Sequence, residues 1–187
     1  MNLSILFNFV LAASAAAAVA HHCSRAPARV VFRYFTVLSN VLCAAAAALV
    51  VVFRISGSLT YAVGVLKYMG TVTVTVTLLT VLFFLGPTMG YKLMFTGADL
   101  WLHLICPLLA IISCCLWDKP RMPLGAVGLG VLPVVLYGVL YLKKAVLDTS
   151  ERSWKDFYGF NRGGHWKISY LVMVAATLLI SWLLWLA

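Results

Sequence analysis

Apolar residues run along this chain in six long stretches separated by short polar connections. The stretches lie near residues 3–20, 32–53, 69–86, 98–117, 124–142 and 168–187. Each approaches or reaches the roughly 20 apolar residues that a helix needs to cross a bilayer. The third contains TVTVTVTLLT, whose strict alternation has the period of a strand. A lone strand leaves its backbone N–H and C=O groups unpaired in lipid, so the pattern predicts a helix there. On that helix Thr73, Thr77 and Thr80 form one polar seam for packing against a neighbour, and Gly86-Pro87 is expected to end it. The reading is all-α: one polytopic domain over 1–187, a bundle of six transmembrane helices.

Composition strengthens this reading. The chain is 64% hydrophobic and only 10% charged, whereas soluble domains carry about 25% charged residues. The longest connection, between the fifth and sixth stretches, is short, so any function must be built from the bundle and its loops. The net charge of +9 raises the question of nucleic acid. The basic residues are scattered over the loops with no aromatic-interleaved basic surface, so a nucleic-acid partner is not expected. The five cysteines, Cys23, Cys43, Cys106, Cys114 and Cys115, show neither metal nor disulfide spacing. Four of them fall in spans, where Cys acts as a small apolar residue. The histidines of the connections, His21, His22 and His165, lack any metal-binding spacing. Neither a cofactor nor a metal is expected. Ala18-Val19-Ala20 resembles a signal-peptide cleavage site, but no positive residue precedes the apolar stretch. The first helix is therefore expected to be retained.

Charge also orients the bundle. Connections 1–2, 3–4 and 5–6 hold ten Lys and Arg between them, and connections 2–3 and 4–5 hold four: Arg54, Lys67, Lys119 and Arg121. The positive-inside rule then places the odd connections in the cytoplasm and both termini outside. Spans two and four both enter from the cytoplasmic face. Thr36 is four residues into span two and His103 five residues into span four. At 1.5 Å per residue, both sit about 6–8 Å below that face.

An imidazole inside a membrane span is costly and marks a functional-site hypothesis. Its partners follow from helical spacing. Thr36, Ser39 and Asn40 share one face of span two, where small polar residues serve either interhelical hydrogen bonding or a site. Asp99 lies one turn before His103, placed either to cap the start of span four or to orient the imidazole. Pro107, four residues after His103, frees the carbonyl of His103 and predicts a kink. In the 5–6 connection, Trp154, Phe157, Tyr158, Phe160 and Trp166 read as interfacial aromatics. The acids Asp148, Glu151 and Asp156 stand among the bases of that loop and suggest that it folds as a lid.

The stretches YFTVLSN and LWLHLICPLL, with a weaker match in PVVLYGVLYL and DFYGFN, resemble the family of androgen-induced-gene-like integral membrane proteins. The chain is similar in particular to short bacterial six-span members, and the pattern covers essentially its whole length. The characterised animal members are intramembrane threonine hydrolases of fatty acid esters of hydroxy fatty acids. The resemblance implies a Thr nucleophile at Thr36 and a His base at His103. Leu102 and Pro107 depart from the animal pattern, which leaves the substrate open, and a relative group of lipid acyltransferases leaves the acyl acceptor open as well.

The residues and the resemblance together lead to a multi-pass protein of the cell membrane whose partners are membrane lipids or an acyl-lipid substrate. The expected activity is intramembrane lipid ester hydrolysis. In it Thr36 attacks, His103 takes the proton, Asn40 donates to the oxyanion, and Ser39 and Asp99 support the site. A membrane acyltransferase, a non-catalytic small-molecule or lipid transporter or binding protein, and a purely structural bundle are the alternatives. Paired broken helices of the kind transporters use are not evident.

Overall fold

A computed structural model describes residues 2–187. Among these residues the chain is helical throughout its ordered elements and has six helices long and apolar enough to cross a membrane. They are α1 (Leu3–Arg25), α3 (Phe35–Ile55), α4 (Tyr61–Met89), α6 (Ala98–Asp118), α7 (Ala126–Val146) and α8 (Trp166–Leu186). Two short helices, α2 (Ala28–Val31) and α5 (Tyr91–Met94), lie in the first and third connections. The protein is a multi-pass membrane protein. Both termini lie at one end of the bundle, here the terminal end, and the three longer connections lie at the other, the loop end.

The helix boundaries correct the expected spans in ways that matter. α4 starts eight residues earlier than expected, so Lys67 leaves the connection and enters the membrane span. The basic residues then divide ten to three between the loop end and the terminal end, which sharpens the charge asymmetry. α4 also passes through Gly86-Pro87 and ends at Gly90, whose φ of 97° is open to glycine and costly for other residues. A wide π-helical turn at Val81–Leu85 just before Pro87 adjusts the backbone to a residue that has no N–H to donate. The same device precedes Pro107 in α6, where Trp101–Ile105 forms a π-helical turn.

The alternating Thr-Val run is helical, as expected. Thr71, Thr73, Thr75 and Thr77 each turn their hydroxyl onto a carbonyl three or four residues back, at 2.7–3.2 Å. A hydroxyl satisfied by its own helix can face an apolar neighbour without a desolvation cost. α4 is the most heavily buried span and packs against α3, α6, α7 and α8, while α8 is the most lipid-exposed. One core layer joins Leu11 and Ala15 of α1, Cys43 and Ala47 of α3, Val74 of α4, and Cys106 and Ala110 of α6. Ala47, within the run Ala44–Ala48, lets α3 meet this layer with a small side chain. Nearby, α3 and α4 approach so closely that a Cβ on Gly70 would stand 2.9 Å from the Cα of Cys43. On the far side of α4, Tyr68 donates to the carbonyl of Ser181 at 2.6 Å, and Ser181 Oγ reaches the carbonyl of Val127 at 2.9 Å. These bonds tie α4, α7 and α8 together.

Candidate functional site

At the loop end, α3, α4, α7 and α8 part around a cavity of about 580 Å³. Its walls are mostly apolar, among them Val76, Val81, Phe83, Val134, Val172 and Met173. Its polar groups are hydroxyls: Thr36, Thr77 and Thr80 from α3 and α4, Ser169 and Thr177 from α8, and Tyr137, Tyr141 and Tyr158. The volume falls within the range of small-molecule sites, and the lining of apolar wall with a few convergent polar groups is typical of them.

The 5–6 connection closes the cavity at the loop end, and Asp156 organises it. Its Oδ1 accepts from Tyr141 Oη at 2.8 Å and from the Phe160 N–H at 2.9 Å, and its Oδ2 accepts from the Asn161 N–H at 2.8 Å. Tyr141 Oη in turn accepts the Tyr158 N–H at 2.9 Å. A carboxylate that collects three donors folds the loop onto itself, as the acids in this connection suggested. Asp148 instead holds a local turn, with the Ser150 N–H at 3.0 Å. Phe157 packs edge-on to Tyr141, and Phe160 tilts against the same ring.

Tyr158, which the sequence suggests as a membrane-interface anchor, has another position. Its Oη accepts the Phe35 N–H at 2.9 Å, so it caps the start of α3 in place of a local side chain. It lies against the Thr36 hydroxyl, and burial pushes its phenol up to about 12. The phenol therefore keeps its proton at neutral pH and can donate. Tyr137 donates to the Arg33 carbonyl at 2.7 Å and tilts against the Phe35 ring, which fixes the chain beside Thr36. Tyr158 is a loop aromatic and Tyr137 lies on α7; that the two come to flank the start of α3 follows only from folding the loop back over the bundle.

His103 lies at the same end and is 6% exposed. Its Nδ1 is 2.7 Å from the Met94 carbonyl. A carbonyl only accepts, so Nδ1 carries a hydrogen, and in the neutral form of the ring the free lone pair is on Nε2. The imidazole is thus oriented by the backbone of α5 rather than by Asp99. Gly97, not Asp99, is the N-cap of α6. The Asp99 carboxylate faces His22 of α1 instead, with Nε2 to Oδ1 at 3.3 Å.

Asn40 joins the two candidate segments. Its Nδ2 donates to the Thr36 carbonyl at 2.8 Å and to the Leu102 carbonyl at 3.0 Å. The Leu102 carbonyl is free because, in the π register of this turn, its partner would be the N–H that Pro107 lacks. Both amide hydrogens are taken, so Asn40 has none left for an oxyanion; it positions the α3 and α6 backbones against each other. Ser39 is likewise engaged, donating to the Thr36 carbonyl at 3.0 Å and meeting Thr77 Oγ1 at 2.9 Å. Thr36 and His103 thus share one end of the bundle and are linked through Asn40. Among the described residues no hydrogen bond joins their side chains, and only Thr36 lines the cavity.

The fold and site define a six-span, all-helical membrane protein with a hydroxyl-lined apolar cavity under a folded loop. No family model matches the chain, and no curated protein or solved structure is detectably similar to it.

Proposed function

We propose that this protein is an intramembrane lipid ester hydrolase of the cell membrane. An acyl chain enters the cavity and its ester is presented to Thr36. The substrate class is fatty acid esters of hydroxy fatty acids or related acyl lipids. The observation that carries this reading is the Thr36 hydroxyl at the loop-covered end of an apolar cavity of about 580 Å³, beside a phenol that stays protonated.

In this reading Thr36 Oγ1 attacks the ester carbonyl and its proton passes to His103 Nε2, the nitrogen left basic by the Met94 contact. The carbonyl oxygen becomes an oxyanion that accepts from Tyr158 Oη, the role for which Asn40 has no hydrogen to offer. Collapse breaks the ester C–O bond, and His103 returns the proton to the leaving alcohol. Water then attacks the acyl-threonine, again giving its proton to His103. Cleavage of the acyl–oxygen bond releases the fatty acid and restores the Thr36 hydroxyl. Transfer to another alcohol in place of water gives the acyltransferase variant. The reading requires Thr36 Oγ1 and His103 Nε2 to come within 2.6–3.2 Å, or to be joined through one water, when substrate is bound.

A second reading is a lipid-binding or transport protein. It is favoured by the absence of a Thr36–His103 hydrogen bond and by the engagement of Ser39 and Asn40 in helix packing.

Covalent labelling with a lipophilic fluorophosphonate separates the two. The hydrolase reading expects labelling of the purified wild type, lost in Thr36→Ala and in His103→Ala. Unlabelled, well-folded wild type that still captures a photoactivatable fatty acid in the cavity points to the binding protein.

A further inference from the structure

The walls of the cavity are not equally covered. Its exposed wall residues all belong to α4 and α8: Phe83 is 77% exposed, Val172 61% and Leu179 55%, with Ala176 exposed as well. Val172, Ala176 and Leu179 recur at i, i+4 and i+7, on one face of α8. The wall residues that α7 supplies, among them Val134 and Gly138, are buried. The mouth of the cavity therefore lies between α4 and α8, where the bundle meets lipid. A guest that enters there is already dissolved in the bilayer. Its apolar chain leads, and its polar head stays at the water interface beside the loop end.

One cation stands at that rim. No charged side chain lines the cavity among the described residues. Arg162, in the 5–6 connection, is exposed and lies against two residues that do line it. Its guanidinium carbon is 5.5 Å from the centroid of the Phe84 ring, next in sequence to Phe83 of the mouth. Its stem runs along Gly159, where a Cβ would stand 2.9 Å from Nε. The φ of 65° at Gly159 likewise favours glycine, so this residue lets the loop turn and the guanidinium come in over α4. Stacking engages the face of the guanidinium and leaves its N–H edge free to donate. At the terminal end the buried Asp118 matches Arg54 at 3.5 Å. Arg162 has no acid partner among the described residues, and Asp156 of the same loop is taken up by Tyr141 and two backbone N–H groups.

We propose that Arg162 binds the head of the cavity's guest, a single-chain lipid with a monoanionic oxyacid head, whose chain enters through the mouth between α4 and α8. The proposal rests on the reading that the cavity takes an acyl chain, and it holds for the hydrolase and the binding protein alike. The planar fork of one guanidinium matches two oxygens of one carboxylate or phosphodiester. In the hydrolase reading Arg162 is a positioning residue: a fixed head sets which part of the chain reaches Thr36.

The test is photocrosslinking of the full chain in nanodiscs of zwitterionic lipid. The probes are a diazirine-bearing fatty acid and the primary alcohol of the same chain, at a pH where the acid is ionised. The proposal expects the acid to half-saturate at a concentration about fivefold lower than the alcohol, the scale of a well-formed exposed ion pair. Arg162→Gln should remove that preference by weakening the acid alone, and Arg162→Lys should keep most of it. Unlabelled fatty acid and lysophosphatidylglycerol as competitors identify the head: the better competitor carries the oxyacid that Arg162 takes. Equal labelling by acid and alcohol in the wild type overturns the proposal and leaves the cavity reading standing. A preference unchanged in Arg162→Gln also overturns it, as does a loss there that falls on both probes alike, the mark of an arginine that only pins the loop. Labelling by neither probe overturns the cavity reading and this proposal with it.

Discussion

The two ends of this bundle handle buried polarity in opposite ways. At the terminal end, formal charges meet at close range: Asp118 collects Ser4, Asn8 and Arg54. At the loop end, the cavity is lined by neutral hydroxyls, and its one organising carboxylate, Asp156, lies in the connection that covers it. Charge inside a low-dielectric bundle interacts strongly and demands fixed partners, so it makes rigid scaffold. A hydroxyl can be satisfied by its own helix and still present an oxygen to a guest. The end suited to an apolar guest is therefore the neutral one, although the loops around it carry most of the positive charge.

The largest effect should come from breaking the charged end. Asp118→Ala removes the acid and leaves Arg54 without its counter-charge. Loss of one partner of a buried pair costs about 3–5 kcal/mol, so the variant should melt far below wild type in detergent or fail to be recovered. Wild-type melting would show that water solvates this end and would dissolve the contrast. Asn40→Leu should cost less, about 1 kcal/mol, because interhelical hydrogen bonds in membranes are modest. It leaves the Leu102 carbonyl unpaired, and thermal unfolding reads the loss.

Tyr141→Phe removes a single donor from Asp156, a change of order 1 kcal/mol. Its clearer readout is limited proteolysis: the 5–6 connection should be cut faster while the helices stay protected. The smallest effect on stability should come from Val134→Phe, which extends a wall residue into the cavity and should cost under about 1.5 kcal/mol. It should nevertheless suppress crosslinking of a diazirine-bearing fatty acid. Unchanged crosslinking there would place the lipid outside the cavity.

Much of the fold was legible along the chain, and some particulars were not. The Thr-Val alternation was correctly a helix because lipid forbids an unpaired strand. Lys67 was misplaced because a charge flanking an apolar run normally marks its end, and only packing against α3 and α6 draws it inward. Gly86-Pro87 was read as a stop because single residues do not announce a π-helical turn. Asp99 sits where a cap belongs, yet the chain begins the helix at Gly97 and leaves the carboxylate to His22. Thr36 and His103 stood out by cost alone, since polar groups in apolar runs are rare. Their partners did not, since Tyr158 and Met94 come from connections whose path no periodicity encodes.

The order of apolar and polar residues determined on its own that this is a six-span helical membrane protein with an uneven charge between its two ends. Solvation decides those properties, because each stretch must find lipid or water by its own composition. Tertiary structure alone decided that Tyr158 caps α3 beside Thr36, that Asn40 bridges α3 and α6, and that Asp118 of α6 pairs with Arg54 of α3. Those are distances between segments far apart in the chain, set by how helices and loops fill the same space.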